Sequence, residues 1–483
     1  MLIKFIKNKV FLYTISRYLT YIIQFVNSLL IAKYLGVYYL GVWGFITLVL
    51  QYLMRFNFGI SNATTAIASV NKSDEKYVSK IIGVSITLLL ILSVLIILFF
   101  LVTTIYSIDI GTKYSFTKFI PYVIVIAILN HFNLFFSNIF RVYGKLVAVA
   151  FNQSVLPIGI LITTFFYKGE DLLWALVYAN LIAVFTAFLF FITTRPLSFL
   201  PKINWKLVKK IQIKATYLFI YNACFYFIII STRTFVSEYY TIKEFGFFTF
   251  AFILANSVLL LFQSIAFLIY PKLLNRFSNN SNEQSIKLLN ILRNAYVTVS
   301  HFSIHIIIFL YPFLITFFPE YESTKVVFSI IALTTVVYTN SFGYQGLIVA
   351  KEKEKQISFM ALIGLVLNIL LSYLLICFFD CSYEYVIIST MITYFVYIIL
   401  ITKYGRKLIS VKYDLINTFR DVFPLKWMFP FVLSLLITIY NSKYNDWLYT
   451  LPIIVFVYFN YRGLREATGM VKKILKNPKV IDV

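Results

Sequence analysis

Long stretches without a charged residue alternate with short polar connectors along nearly the whole chain. Each stretch is about as long as the 17–25 residues that a helix needs to cross a bilayer. Nine stretches contain no Asp, Glu, Lys or Arg: Ile81–Ile108, Phe119–Phe140, Leu146–Tyr167, Leu172–Thr194, Phe245–Pro271, Asn294–Pro319, Val326–Ala350, Gln356–Phe379 and Tyr385–Thr402. The pattern predicts a membrane protein built from spanning helices.

Five more segments complete the predicted set of about fourteen helices. Three are apolar stretches that contain one arginine each: Val10–Ala32 with Arg17, Tyr34–Ile60 with Arg55, and Ala215–Ser237 with Arg233. Two are shorter and begin with tryptophan, which favours the membrane–water boundary: Trp427–Ser442 and Trp447–Tyr461. Whether this last pair fully spans is left open.

Composition and charge support this fold and give an orientation. Hydrophobic residues make up 60% of the 483-residue chain and charged residues only 13%, against about 25% charged in soluble domains. With the N-terminus in the cytoplasm, most of the 43 Lys and Arg residues fall on the cytoplasmic side. Both termini are therefore expected in the cytoplasm. The net charge of +24 is spread over many loops, which argues against a nucleic-acid partner.

Two landmarks recur at nearly equal offsets and predict a duplicated architecture. Gly41 aligns with Gly246, and the basic turn at Lys145 aligns with Lys353. The expected fold is an all-α polytopic protein with two six-helix lobes, at 1–200 and 201–405, related by a pseudo-twofold axis. Residues 406–483 add two helices and a basic tail. This arrangement predicts a substrate site between the lobes and alternating access.

Charged and polar side chains within the apolar segments provide the candidate site. Ionisable residues in spans usually face a cavity or a partner, and guanidinium groups bind phosphate in bidentate fashion. The predicted substrate-binding residues are Arg17, Arg55, Arg233, Gln24, Asn27, Gln51 and Asn222. The alternatives are that each arginine snorkels to the interface and that the amides form ordinary interhelical hydrogen bonds.

Other chemistry is sparse. His301 and His305 share a helix face, but no third metal ligand is visible, so packing is the preferred interpretation over a proton relay. The three cysteines indicate neither a disulfide framework nor a zinc site. No Gly-rich phosphate loop and no large external loop is present. No catalytic residue, metal or cofactor is expected, and the protein is interpreted as a transporter rather than an enzyme.

The opening helix pair carries a family resemblance. The residues Ile15-Ser-Arg-Tyr-Leu-Thr, Asn27, Leu35-Gly, Gly41, Gly44 and Gly59-Ile-Ser-Asn62 resemble the polysaccharide-export flippases of the multidrug/oligosaccharidyl-lipid/polysaccharide (MOP) superfamily, as do Gly246, Pro271, Gly346, Lys351 and Asn368. The resemblance spans nearly the whole chain. It implies a flippase that moves undecaprenyl-pyrophosphate-linked oligosaccharides, such as the O-antigen units of lipopolysaccharide, across the bacterial inner membrane.

The resemblance also implies partners and leaves alternatives open. The expected partners are the lipid-linked oligosaccharide, membrane lipids and the polysaccharide polymerase machinery. Energy coupling is left open between a proton gradient, a sodium gradient and the membrane potential. An ion-coupled exporter of drugs or small solutes is one rival, although no carboxylate lies deep in a predicted span. A membrane sugar polymerase is the other, although the external loops are short.

Overall fold

The computed structural model describes residues 9–108, 110–440 and 445–476, and these residues form helices joined by short turns, with no strand among them. The helices are α1 (Lys9–Arg55), α2 (Ile60–Val70), α3 (Glu75–Ile105), α4 (Ile120–Val142), α5 (Leu146–Phe166), α6 (Gly169–Thr193), α7 (Trp205–Tyr239), α8 (Ile242–Asn279), α9 (Asn282–Ile315), α10 (Lys325–Thr339), α11 (Tyr344–Ala350), α12 (Glu354–Cys377), α13 (Ile388–Leu408), α14 (Leu415–Val422), α15 (Leu425–Tyr440) and α16 (Thr450–Lys476).

Helices that can cross a membrane dominate this architecture. Within the described ranges, nine helices are long and apolar enough to span alone, and the number rises to eleven if two bent helix pairs each count as one span. The all-helical membrane fold is therefore confirmed, and the helix layout is consistent with the predicted fourteen segments. Because bilayer hydrocarbon offers no hydrogen-bond partner, these helices satisfy their own backbone groups.

Four breaks or bends occur along the described helices. Gly36 divides α1, with φ of 69° that a glycine adopts without steric cost. The second half of α1 ends at Arg55, and the chain resumes as α2 at Ile60. The chain bends by 41° between α10 and α11, and by 68° between α14 and α15.

The first compact unit comprises Met1–Ile220. Buried aliphatic side chains of α2, α3 and the start of α7 form one of its cores, among them Ile67, Ile81 and Ile211. The connector before α7 lies close against α3, where the backbone amide of Lys202 donates to the carbonyl oxygen of Gly83 at 3.4 Å. The boundary of this unit falls within α7.

The second compact unit comprises Tyr221–Val483. Helix α9 packs against α15 and α16 in a core that contains Val297, Trp427 and Phe456. The indole Nε1 of Trp427 donates to the hydroxyl of Thr298 at 3.3 Å, which fixes the start of α15 against α9. The two C-terminal helices are thus part of this unit.

Candidate functional site

Arg17 lies on the first half of α1, and its side chain is half-buried. Its guanidinium carbon stands 4.8 Å from the ring centre of Tyr21, one turn later. Such a cation–π contact orients the cation and leaves its N–H groups available for an anion. Gln24 lies two turns from Arg17 and is also half-buried. These residues place a positive group and an amide along one part of α1.

Two other polar residues of α1 are used for packing. The amide nitrogen of buried Asn27 donates to the carbonyl oxygen of Pro157 on α5 at 2.7 Å. The hydroxyl of Thr20 lies 2.8 Å from that of Ser154, also on α5. Helical spacing places Asn27 on the same face of α1 as Arg17. It does not show whether Asn27 binds substrate or forms an interhelical hydrogen bond. In this structure Asn27 joins α1 to α5.

Arg55 is exposed at the last residue of α1, immediately before the helix breaks. The break has φ of 47° at Phe58 and 70° at Gly59, and the amide of Gly59 donates to the side-chain oxygen of Asn57 at 3.0 Å. A Cβ at Gly59 would meet the carbonyl oxygen of Ala215 at 3.1 Å. Gly59 thus permits both the turn and the close approach to α7.

A histidine on α4 holds the end of α1 in place. The Nε2 atom of buried His131 lies 2.9 Å from the carbonyl oxygen of Leu53. That carbonyl belongs to the last turn of α1 and also accepts from the backbone amide of Phe56 at 3.1 Å. Gln51 is half-buried in the preceding turn. The sequence gives no signal for the contact of His131, since it depends on how α4 packs against α1.

In the second unit, Arg233 is buried on α7, with 2% of its surface exposed. Its guanidinium carbon lies 4.8 Å from the ring centre of Phe252 and 5.9 Å from that of Phe245, both on α8. Asn222, in contrast, is exposed. The structure thus places Arg233 beneath aromatic side chains rather than on an open surface.

A buried polar cluster joins α7, α12 and α13 and was not predicted. The amide nitrogen of Asn368 lies 2.7 Å from the carbonyl oxygen of Ile228, 2.8 Å from the hydroxyl of Ser231 and 3.1 Å from that of Thr232. The hydroxyl of Thr232 lies 2.7 Å from that of Thr390. Single hydroxyl residues are common in spanning helices, so their convergence has no sequence signature.

The histidine pair on α9 packs against neighbouring helices. His301 lies 2.8 Å from the side-chain oxygen of Asn340, and His305 lies 2.9 Å from the hydroxyl of Ser434. Both rings are almost fully buried beside the ring of Phe456. Within the part of the chain that the structure describes, no three His, Cys, Asp or Glu side chains gather to hold a metal ion.

The two arginines of α1 indicate which ligand chemistry this part of the structure can bind. Arg17 and Arg55 lie on opposite sides of the break at Gly36 and equally far from it along the chain. Neither residue is buried, since Arg17 is half-buried and Arg55 is exposed. Arginine stays charged when partly desolvated and presents a planar set of donors to phosphate oxygens. The first unit therefore offers cationic groups suited to an anionic headgroup.

The amino-acid sequence of the chain matches a known protein family. Residues 6–275, more than half of the chain, match the family model described as "Polysaccharide biosynthesis protein". No curated protein matches the chain by sequence.

Several solved structures share the architecture. A lipid II flippase MurJ in an inward closed conformation matches with a TM-score of 0.68 at 14% identity, over 96% of this chain and 99% of that chain. An inward-facing multidrug resistance MATE family transporter of the MOP superfamily matches with 0.64 at 13% identity, over 82% and 94%. A MOP superfamily transporter from Pyrococcus furiosus matches with 0.51 at 12% identity, over 82% and 93%. Identities this low establish the fold alone.

Proposed function

Since the chain belongs to the polysaccharide biosynthesis protein family, we propose that it is a flippase for undecaprenyl-pyrophosphate-linked oligosaccharide units of O-antigen or a similar surface polysaccharide. It moves these units from the cytoplasmic to the external leaflet of the bacterial inner membrane by alternating access. No covalent chemistry is involved, so the protein acts as a transporter rather than an enzyme. The observation that carries the proposal is the pair of accessible arginines on α1, Arg17 and Arg55.

The pyrophosphate is the part of the substrate that these arginines recognise. Arg17 and Arg55 neutralise its negative charge, which lowers the cost of moving it away from water. Gln24 and Gln51 lie one or two turns from the two arginines and supply donors and acceptors for the adjoining sugar. The polyprenyl chain stays in lipid. Arg233, which Phe245 and Phe252 cover in this conformation, contributes only when α7 and α8 rearrange.

A different lipid-linked precursor is the second candidate, because the MurJ structure that the chain resembles is a lipid II flippase. The two candidates share the chemistry of a charged lipid headgroup and differ in the attached sugar. A drug exporter is less well supported, because the candidate site is cationic and no deep carboxylate is present in the predicted spans.

The test is the leaflet distribution of lipid-linked oligosaccharides in cells that lack this protein. We expect the oligosaccharide to accumulate on the cytoplasmic face, with loss of surface polysaccharide, and its sugar composition to identify the substrate. Accumulation of lipid II in its place supports the second candidate. Unchanged intermediates and an intact surface coat contradict both, and external accumulation of unpolymerised units indicates a polymerase.

A further inference from the structure

The short helix α14 exposes an apolar surface where a soluble protein would present polar residues. Leu415, Ile416 and Phe419 are 62%, 65% and 54% exposed, and we call these three residues the outer face of α14. Tyr413 and Leu425 flank them and are exposed as well. An exposed group of large side chains on one short helix indicates an interaction surface.

The opposite side of α14 is fixed by a carboxylate. Both side-chain oxygens of Asp421 accept hydrogen bonds from Arg293 on α9, one of them at 2.9 Å. Asp421 also accepts from the hydroxyl of Tyr344 at 2.7 Å and pairs with Arg406 at 2.9 Å. Because three helices hold this one side chain, α14 cannot turn its outer face inward without breaking a partly buried ion pair.

A second contact connects α14 with the break between α10 and α11. The amide nitrogen of Asn340 donates to the carbonyl oxygen of Val422 at 3.0 Å, and Thr418 and Val422 are buried on the same side. The outer face is therefore held outward by the packing of the second unit.

Charge and continuity indicate what covers the outer face. Lys412 and Arg420 are exposed beside it, whereas Asp414 is engaged at the start of α14, accepting from the amide of Asn417 at 3.1 Å. After the 68° bend, the apolar surface continues along α15 through the exposed side chains of Phe429 and Val432. The exposed apolar surface thus begins on the spanning helix α15 and ends at α14, where basic residues lie beside it.

We propose that α14 lies in the plane of the cytoplasmic leaflet, the side to which the charge distribution assigns this connector. Its outer face enters the boundary between headgroups and acyl chains, and Lys412 and Arg420 bind anionic headgroups. An apolar face bordered by basic residues is the pattern of interfacial helices. The 68° bend separates this in-plane helix from the spanning helix α15.

The depth of α14 can be measured on the full-length chain in nanodiscs. Cys224, Cys377 and Cys381 are replaced by serine, and a nitroxide is attached to I416C or F419C, with R420C as the matched control. We expect the nitroxides at 416 and 419 to collide more often with oxygen than with a water-soluble nickel chelate, and the control to show the reverse. Equal access of the chelate to all three positions overturns the proposal.

The headgroup preference needs a separate measurement. A fluorophore at I416C is quenched by brominated phosphatidylglycerol or, in parallel, by brominated phosphatidylcholine. We expect stronger quenching by phosphatidylglycerol, and a loss of this preference by up to about fivefold for each charge removed in K412Q/R420Q. Equal quenching by both lipids in the protein with Lys412 and Arg420 intact contradicts the proposal.

A protein partner on the same surface would give a different result. In native membranes the nitroxide at 416 would then be shielded from both oxygen and the chelate, although it meets oxygen in nanodiscs. That outcome overturns the lipid assignment. Equal oxygen access in both preparations supports it.

Discussion

The Nε2 atom of His131 on α4 lies 2.9 Å from the carbonyl oxygen of Leu53, two residues before α1 ends at Arg55. Because a carbonyl oxygen can only accept, His131 donates this hydrogen bond. This carbonyl also accepts from the backbone amide of Phe56 at 3.1 Å, so the contact adds a second donor in the last turn of α1 and ties the break that follows Arg55 to α4. The position of Arg55 thus depends on a residue from another helix.

Removal of this donor tests the contact. We expect H131L to lower the thermal unfolding midpoint in detergent, since the loss of one of the two hydrogen bonds to the Leu53 carbonyl costs about 0.5–1.5 kcal/mol. We expect H131Q, whose side-chain amide can still donate, to retain part of the stability. Equal midpoints for H131L and the unsubstituted protein would contradict a stabilising role for the hydrogen bond.

Close backbone approach at Gly83 gives a second prediction. A Cβ at this position would lie 2.3 Å from the carbonyl oxygen of Leu200, so the connector before α7 has to move in G83A. We expect G83A to lower the unfolding midpoint. The matched control is G159A, because a Cβ at Gly159 meets nothing within 4 Å. A similar effect of both substitutions would show that the connector does not depend on contact with α3.

The carboxylate of Asp421 gives a third prediction, which includes pH. Burial favours its neutral form, but hydrogen bonds and charge from Arg293, the hydrogen bond from Tyr344 and the charge of Arg406 outweigh burial and lower its pKa. A lowered folded-state pKa means that the stabilisation is complete above the unfolded value of about 3.9 and is lost as pH falls through the folded value.

We therefore expect D421N to destabilise the second unit by about 3–5 kcal/mol at neutral pH, because Arg293 loses its ionic partner. The control is D414N, which changes an exposed residue at the start of α14 where Asn caps a helix as well as Asp does. Unfolding curves at several pH values provide the measurement. If D421N and the unsubstituted protein had the same free energy of unfolding at neutral pH, the stabilising role of the Asp421 carboxylate would be contradicted.

The buried cluster around Asn368 gives a fourth prediction. Its amide nitrogen contacts oxygens of Ile228, Ser231 and Thr232 on α7. We expect N368L to lower the unfolding midpoint, since hydrogen bonds between spanning helices contribute about 0.6–2 kcal/mol each. The control Q212L changes an exposed amide on α7. If N368L were no more destabilising than Q212L, the cluster would not stabilise the packing of α12 against α7.

Much of the fold follows from the sequence, because hydrocarbon selects apolar segments of helical length. The first break is marked by Gly36, whose φ is positive. The bend between α10 and α11 lies inside the uncharged stretch Val326–Ala350, where hydropathy gives no sign of it. The amphipathic helix α14 falls in a basic connector that a search for long apolar stretches does not examine.

The contacts of the candidate site residues could not be predicted from the sequence as well as the fold could. Asn27 and Gln24 belong to the same polar pattern on α1, and the sequence does not distinguish them. The packing of α5 against α1 gives Asn27 its hydrogen bond to Pro157. Arg233 is buried because Phe245 and Phe252 come from the next helix. Such contacts join residues from different helices, whereas helical spacing reports only neighbours on the same helix. The roles of Arg17, Arg55 and Arg233 in substrate binding stay predictions.

The most direct test of the account is transport by the purified protein in proteoliposomes that contain the native lipid-linked oligosaccharide. The variant R17Q/R55Q removes both accessible arginines of α1, and K33Q removes an exposed cation from the same helix as the matched control. We expect the initial rate of translocation to fall at least about tenfold in R17Q/R55Q, which corresponds to ~1.4 kcal/mol, and to change little in K33Q. An unchanged rate in R17Q/R55Q would contradict the central claim that these arginines recognise the pyrophosphate.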